Sequence, residues 1–193
     1  AIPDMDAAKA FGKIKSKEKD RDRFILSKGH TVEGYYAILG DLGLFPKNEI
    51  ETFGKFNTRL AGHPTIALPG VEANTGSLGH GLGIGVGMAI GNKKRDVKSK
   101  IVVLMGDGEQ GEGSVWEAAM SASMYNLDNL YLIVDRNGLQ ISGNTEDVMA
   151  LEPLDKKYEN FGFEVHEIDG HNYEEIYKSM SLEHNGKPKI IIA

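Results

Sequence analysis

The chain has 193 residues, which is enough for one α/β domain with a full hydrophobic core. Its 28 acidic and 22 basic residues give a net charge of −6, which argues against a nucleic-acid-binding surface. The absence of cysteine excludes disulfides, thiolate catalysis and cysteine metal sites. No secretory signal is visible, and the longest apolar stretch, residues 78–90, is too short and too glycine-rich to span a bilayer. We therefore expect a soluble, cytoplasmic protein.

The chain begins with a weakly patterned segment, residues 1–23, in which residues 13–23 form a mixed-sign charge run typical of a solvated loop or helix face. Beyond it, segments with helical spacing alternate with short, β-branched apolar runs. We predict helices at 31–42, 47–56, 77–92, 114–125, 153–160 and 173–181, and strands at 101–105, 130–134, 163–168 and 189–192. This alternation favours a single α/β domain over residues 1–193, with a doubly wound, mostly parallel sheet and helices on both faces.

Local signals in the helices add detail. Ser77 is a predicted N-cap for the long helix 77–92, whose many glycines would cost stability unless close packing requires them. Ser114 and Glu117 have the spacing of a capping box. An apolar residue recurs every four positions in the same helix, and we predict that these residues pack in the core: Trp116, Met120 and Met124.

Two predicted strands end in oxygen-bearing side chains. Asp107 lies in a Gly-Asp-Gly triplet directly after strand 101–105, and Asn137 follows strand 130–134. Ligands of open α/β sheets bind at the carboxyl edge of the strands, so these oxygens should gather there. A carboxylate and an amide oxygen suit a hard cation such as Mg²⁺ (or Ca²⁺), which also prefers phosphate oxygens and water. The pattern predicts a diphosphate site held through a metal; two ordinary strand-end turns are the alternative.

The region around Asp107 and Asn137 resembles a known family. A GDG triplet followed by 28 residues (109–136) and Asn resembles the thiamine diphosphate signature. The stretches SKGH, AGHPT, TGSLGHG and GDGEQGEGSVWEA narrow the resemblance to the diphosphate-binding half of transketolase. It is most similar to the N-terminal subunit of the split, two-chain form, from about Asp20 to the end of the chain.

The resemblance implies which residues hold the cofactor. Three metal ligands are expected: the side chains of Asp107 and Asn137 and the main-chain carbonyl of Leu139. Besides Asp107 and Asn137, the positions that match cofactor-contacting residues are His30, Gly76, Ser77, Leu78 and Gly108.

The resemblance also implies catalytic roles. His63 matches a histidine that faces the hydroxyls of the ketose substrate, where imidazole is suited to hydrogen bonding and proton transfer near neutral pH. His30 matches a histidine that contacts the diphosphate, and we expect His30 to be catalytic as well. Glu112 matches a glutamate of an acidic network at the subunit interface. A first-turn carboxylate favoured by the helix dipole explains Glu112 equally well.

The implied activity is transfer of a two-carbon ketol unit between sugar phosphates, with thiamine diphosphate supplying the chemistry. In the family, a glutamate on a separate pyrimidine-binding domain activates the cofactor, and no such domain fits in 193 residues. We therefore expect the partner to be a C-terminal transketolase subunit, with self-association into a heterotetramer and no activity of the chain alone. Three alternatives stay open: a subunit of deoxyxylulose-phosphate synthase, a non-catalytic binding subunit, and a nucleotide-binding α/β domain, although the motifs of the last are missing.

Overall fold

The computed structural model of the chain describes residue 14, residues 18–183 and residues 185–193. Most of the weakly patterned segment 1–23 therefore lies outside the described residues, and the assignment of residues 1–193 to one domain stays a prediction. Within the described part of the charge run, Arg21 and Arg23 both pair with Glu72, and their side chains are only 14% and 16% exposed. These two arginines are not solvated, because they neutralise a carboxylate from another segment.

A five-stranded parallel sheet lies at the centre of the fold. Its strands are β1 (Arg23–Leu26), β2 (Ile101–Gly106), β3 (Leu130–Asp135), β6 (Glu164–Glu167) and β7 (Lys189–Ile192), in the order β1-β2-β3-β7-β6. The four predicted strands are confirmed, but β1 was missed because its four residues adjoin a charged segment. A separate antiparallel hairpin follows β3 and consists of β4 (Leu139–Gln140) and β5 (Gly143–Asn144).

The α-helices of the described residues are α1 (Val32–Asp41), α2 (His80–Lys94), α3 (Gly113–Met124), α4 (Thr145–Val148), α5 (Leu154–Asn160) and α6 (Tyr173–Met180). Short 3₁₀ helices span Gly29–Thr31, Lys47–Thr52 and Gly108–Gly111. The helix predicted at 47–56 is thus shorter and tighter than expected, while the other predicted helices are confirmed. In the part of the chain that the structure describes, no helix has the length and apolar character needed to cross a membrane.

Both faces of the sheet are covered, as expected for a parallel sheet. Successive strand residues point to opposite faces, so Ile25 packs with α2, α3 and α5, whereas Leu26 packs with α1 and the segment 44–71. The same alternation in β2 sends Val103 to the first core and Leu104 to the second. Burial on two sides explains why the sequences of β2 and β3 are continuously apolar rather than alternating.

Both predicted serine caps are wrong. Helix α2 begins three residues after Ser77, because Gly79 takes the cap position with a left-handed backbone, φ 83°. Helix α3 likewise has no side-chain cap. The Ser114 hydroxyl instead donates to the carbonyl of Gly79 at 3.0 Å, which joins the starts of the two helices.

The predicted apolar stripe of α3 is only partly in the core. Trp116 is half-buried and stacks on Phe161 with ring centroids 5.6 Å apart. Met120 and Met124 are 53% and 78% exposed, so the prediction that they pack in the core is wrong. The core face of α3 consists of smaller residues, which allow close packing against α2: Val115, Ala118, Ala119 and Ala122.

Four of the five glycines of α2 divide into two sets. A Cβ added at Gly85 would lie 2.6 Å from Cγ2 of Val103, and one at Gly81 would lie 2.4 Å from Cβ of Ser27. A Cβ at Gly83 or at Gly87 would meet nothing within 4 Å. The first pair therefore lets the helix approach the sheet closely, as the sequence required, whereas the second pair faces outward without such a contact.

This difference predicts opposite effects of the same substitution at two neighbouring helix positions. Gly85→Ala should lower the free energy of unfolding, because overpacking costs roughly 1–3 kcal/mol and exceeds the gain in helix propensity. Gly87→Ala should raise it by about 0.5–1 kcal/mol, since alanine gains propensity and meets no neighbour. Urea denaturation of both variants measures the difference. Equal changes in the two variants would contradict the packing described for Gly85.

Candidate functional site

The carboxyl edge of the sheet gathers the segments that the sequence singled out. Strands β1, β2 and β3 are neighbours and parallel, so the residues that follow them meet at one edge. These residues belong to the segments 27–30, 106–112 and 135–140. The segments 61–65 and 75–81 pack beside them, since His63 lies against Gly76 and Gly79 bonds to Glu109.

Asp107 lies at the centre of this edge and is 1% exposed. Its Oδ1 accepts a hydrogen bond from the backbone N of Gly108 at 2.7 Å. Its Oδ2 accepts from the backbone N of Gly138 at 2.7 Å and from Nη1 of Arg136 at 2.9 Å. Because Gly138 directly follows Asn137, the carboxylate is bonded to the loop that carries the predicted amide ligand.

Asn137 is exposed and is held at both ends of its amide. Its Oδ1 accepts from the backbone N of Leu139 at 2.9 Å, and its Nδ2 donates to Oδ2 of Asp135 at 3.2 Å. Leu139 itself is 62% exposed. Asp107 therefore lies next to the loop that carries Asn137 and Leu139, and the role of these three residues as metal ligands stays a prediction.

The chemistry of these oxygens fits a hard cation. A carboxylate has about four acceptor positions, and three N–H groups bond to Asp107, so Oδ1 retains one position. The amide oxygen of Asn137 likewise accepts one N–H bond and retains a second position. Among the described residues, no group of three or more His, Cys, Asp or Glu is placed to hold a metal. A cation here would thus depend on one carboxylate, one amide, a main-chain carbonyl and oxygens from outside the chain.

Arg136 organises the site and was missed by sequence reasoning. Its Nη1 donates to Asp107 and to Oγ1 of buried Thr145 at 2.7 Å, and its Nη2 donates to Glu146 at 2.6 Å and Glu152 at 3.0 Å. Burial lowers the pKa of Arg136, but the hydrogen bonds with Glu152 and Asp107 outweigh burial and raise this pKa overall. The guanidinium therefore stays charged and ties the Asp107 loop to the segment 145–152.

Glu109 is a second buried organiser that the sequence analysis did not identify. It is 2% exposed, and its Oε1 accepts from the Ser27 hydroxyl and from the backbone N of Gly79 at 2.8 Å. Its Oε2 accepts from the backbone N of Gly106 at 3.2 Å. One carboxylate thus joins the end of β1, the end of β2 and the start of α2. Its position in the sequence, two residues after Asp107, could have indicated that Glu109 belongs to the site.

The histidine of the AGHPT stretch lies beside the glycine loop. A Cβ added at Gly76, whose φ is 145°, would lie 2.9 Å from Cδ2 of His63, so the ring packs on the glycine backbone. A Cβ added at Gly29 would lie 3.0 Å from the backbone N of Gly76. The Tyr36 hydroxyl donates to the carbonyl of His63 at 3.1 Å and holds this loop in place. The structure therefore brings together Gly29, Gly76 and His63.

The remaining predicted site residues lie on the same stretches of chain. His30, Ser77 and Glu112 are exposed and Leu78 is half-buried. Glu112 precedes α3, and a Cβ added at Gly79 would lie 2.6 Å from the Cβ of Glu112. A Cβ added at Gly108 would lie 3.0 Å from the Cβ of Gln140, so a side chain at 108 would intrude on the neighbouring hairpin. The cofactor contacts of His30, Gly76, Ser77, Leu78 and Gly108 stay predictions, as do the catalytic roles of His30, His63 and Glu112.

The chain is similar in sequence to known transketolases. Residues 12–193 match the family model described as "Transketolase, thiamine diphosphate binding domain". An apulose-4-phosphate transketolase subunit of Phocaeicola vulgatus is 50% identical over 181 residues, which cover 93% of this chain and 64% of that protein. A 6-deoxy-6-sulfo-D-fructose transketolase subunit of a Clostridium species is 40% identical over 176 residues, 90% of this chain and 64% of that protein. The chain therefore spans about 64% of the length of these curated relatives.

Solved structures agree with the fold. The transketolase of Campylobacter jejuni superposes with a TM-score of 0.82 and 36% identity, over 91% of this chain and 29% of that chain. A transketolase of Pichia stipitis superposes with a TM-score of 0.85 and 27% identity, over 96% and 31% of the two chains. The mostly parallel α/β fold predicted from the sequence is thus confirmed.

The Arg136 cluster generates a prediction about stability. Arg136→Met should lower the free energy of unfolding by roughly 2–4 kcal/mol, because the buried Asp107 carboxylate loses its ionic partner. The matched control is Arg59→Met, since Arg59 forms a two-contact pair with Glu49 at 2.6 and 2.8 Å in a more exposed place. The control should cost less than about 1 kcal/mol. Chemical denaturation measures the free energy of unfolding of both variants. Similar losses in Arg136→Met and Arg59→Met would show that Arg136 does not organise this edge of the sheet.

Proposed function

The chain belongs to the transketolase family, and we propose that it is the diphosphate-binding, N-terminal part of a transketolase that transfers a two-carbon ketol unit between ketose and aldose phosphates. One observation carries this proposal: the buried Asp107 carboxylate is bonded to the loop of Asn137 at the carboxyl edge of the sheet. The family model that the chain matches describes a thiamine diphosphate-binding domain. The metal, the substrates and the partner are part of the proposal.

We propose that three oxygens of this chain hold the divalent ion, Mg²⁺ or Ca²⁺. They come from the Asp107 carboxylate, the Asn137 amide and the Leu139 carbonyl, and the ion would in turn hold the cofactor's diphosphate. The ion would supply positive charge to the diphosphate, whose oxygens are preferred ligands of Mg²⁺. When bound, thiamine diphosphate supplies a carbon nucleophile and stabilises the carbanion formed from the ketose.

The chain's own side chains would position the cofactor and the sugar. The backbone of the loop 76–78 and of Gly108 would lie against the cofactor, and His30 would donate to a phosphate oxygen. His63, which packs on Gly76, would face the hydroxyls of the ketose and move protons there. Glu112, exposed at the start of α3, would face the partner's side of the cofactor.

The substrate class is proposed from the relatives. Their names pair them with apulose 4-phosphate and with 6-deoxy-6-sulfo-D-fructose, so one substrate carries a phosphate and the other a sulfonate. We infer that the ketose donor of this chain carries an anionic phosphate or sulfonate group. Apulose 4-phosphate is the first donor to assay, because its named relative shares 50% identity with this chain.

A partner is proposed from the names of the relatives and from the apolar side chains exposed beside the site. The relatives are named as subunits, which implies a second chain in each of those proteins. Beside the Asn137 loop, the hairpin, α4 and the residue after α4 expose apolar side chains: Leu139 at 62%, Ile141 at 107%, Val148 at 42% and Met149 at 61%. Apolar residues concentrated beside a ligand site favour burial by another polypeptide. We propose that this polypeptide is a C-terminal transketolase subunit with the pyrimidine-binding domain, in a self-associating complex.

The cofactor site is tested by removing its carboxylate charge. Asp107→Asn keeps the shape of the side chain, but it should weaken Mg²⁺-dependent binding of thiamine diphosphate by at least about 100-fold, at or beyond the upper end of the 10–100-fold range typical of an outer-shell partner. Calorimetric titration measures the affinity, and circular dichroism verifies the fold. Asp169→Asn is the control, because Asp169 is exposed in a turn after β6. Unchanged affinity in Asp107→Asn would rule out the metal site.

The activity is tested with the complex. The chain together with a C-terminal subunit encoded beside it should transfer a ketol unit from apulose 4-phosphate, and the chain alone should not. A coupled assay of the released aldose and ketose detects turnover. Cofactor binding without turnover of any ketose phosphate in the complex would identify a non-catalytic binding subunit instead.

A further inference from the structure

A buried lysine, Lys28, lies beside the segment that leads into the Asn137 loop. Lys28 directly follows Ser27 after β1, and its side chain is 7% exposed. Its backbone N donates to the carbonyl of Leu104 at 3.3 Å, and its carbonyl accepts from the backbone N of Thr31 at 3.1 Å. Two hydrogen bonds therefore hold the main chain of Lys28, so the position from which its side chain extends is fixed.

The ammonium of Lys28 pairs with Asp135 at the end of β3. Lys28 Nζ donates to Oδ2 of Asp135, whose side chain is 42% exposed. A buried ammonium is costly unless it is paired, so this contact accounts for the charge of Lys28. It also fixes the position of the Asp135 carboxylate relative to β1.

The same carboxylate oxygen holds one end of the Asn137 amide. Nδ2 of Asn137 donates to Oδ2 of Asp135 at 3.2 Å. An ionised carboxylate only accepts hydrogen bonds, and an amide has donors on its nitrogen alone, so the nitrogen must face Asp135. The oxygen of Asn137 then faces the opposite way, where it accepts from the backbone N of Leu139 at 2.9 Å. Asp135 and the backbone N–H of Leu139 therefore fix the same amide orientation, one from the nitrogen and the other from the oxygen.

We propose that Lys28 is a positioning residue for the metal: it holds Asp135, and Asp135 fixes the Asn137 amide with its oxygen toward the cation. This inference rests on the proposed function, since it assumes that Asn137 is a metal ligand. Lys28 acts through two residues and touches neither the ion nor the reacting atoms. An amide that is free to turn would offer a cation its NH₂ group for part of the time, and affinity would fall.

The sign of the effect separates positioning from simple electrostatics. Removal of the Lys28 charge leaves Asp135 uncompensated two residues from Asn137, so an electrostatic role alone predicts tighter binding of a cation. Positioning predicts weaker binding of the same cation. The effect of Lys28→Met on Mg²⁺ affinity therefore distinguishes the two roles by its direction.

The experiment is a titration of Mg²⁺ into the chain with its partner in the presence of thiamine diphosphate, followed by calorimetry. Lys28→Met should weaken Mg²⁺ binding about 10-fold, at the lower end of the effect of an outer-shell partner. The loss should disappear when Lys28→Met is introduced into the Asn137→Asp background, because a carboxylate offers an oxygen in either orientation. The control Lys93→Met, which removes an exposed pair with Asp128 at 2.9 Å, should change nothing.

A second variant covers the case in which Lys28→Met does not fold. Lys28→Met combined with Asp135→Asn removes both members of the ion pair, leaves no unpaired buried charge, and should also weaken Mg²⁺ binding about 10-fold. Tighter or unchanged binding in the foldable variant, or an equal loss in the Asn137→Asp background, would overturn the positioning role. Failure of the unsubstituted protein to bind Mg²⁺ and cofactor would instead overturn the proposed function.

Discussion

The Asp107 carboxylate is the interaction on which the rest of the site depends. It is almost completely buried, and it accepts N–H bonds from the loop after β2 and from the loop after β3. A buried carboxylate must be paired and hydrogen-bonded, and Arg136 meets this requirement while it is itself neutralised by two glutamates. The two loops are therefore held as one unit.

Glu109 performs the same task for the other half of the edge. Its carboxylate joins Ser27, Gly106 and Gly79, so the segment after β1 and the start of α2 are anchored to the segment that carries Asp107. Two carboxylates separated by one residue thus tie together the ends of β1, β2 and β3 and the start of α2. Rigidity of this kind suits a site whose proposed ligands, a metal ion and a diphosphate, require oxygens and backbone N–H groups in set places.

The sequence predicted the parts of this arrangement that depend on local pattern. Strands β2 and β3 were recognisable because both of their faces are buried, and their ends were marked by glycine with Asp107 or Asn137. Prediction failed where a residue's surroundings come from distant segments. Ser114 has the spacing of a cap, but it bonds to Gly79. Met120 and Met124 have core periodicity, but small residues occupy the core face of α3 because α2 packs closely there.

The sequence by itself determined the fold class, the family and the pair of oxygens at the sheet edge, because apolar runs, glycines and short motifs are written along the chain. Only the tertiary structure decided which charges surround those oxygens. The contacts of Arg136 with Asp107, of Glu109 with Ser27 and Gly79, and of Lys28 with Asp135 span sequence separations of 29 to 107 positions. Such contacts exist only once the parallel strands lie side by side, since their two members come from segments far apart in the chain and no local spacing relates one member to the other.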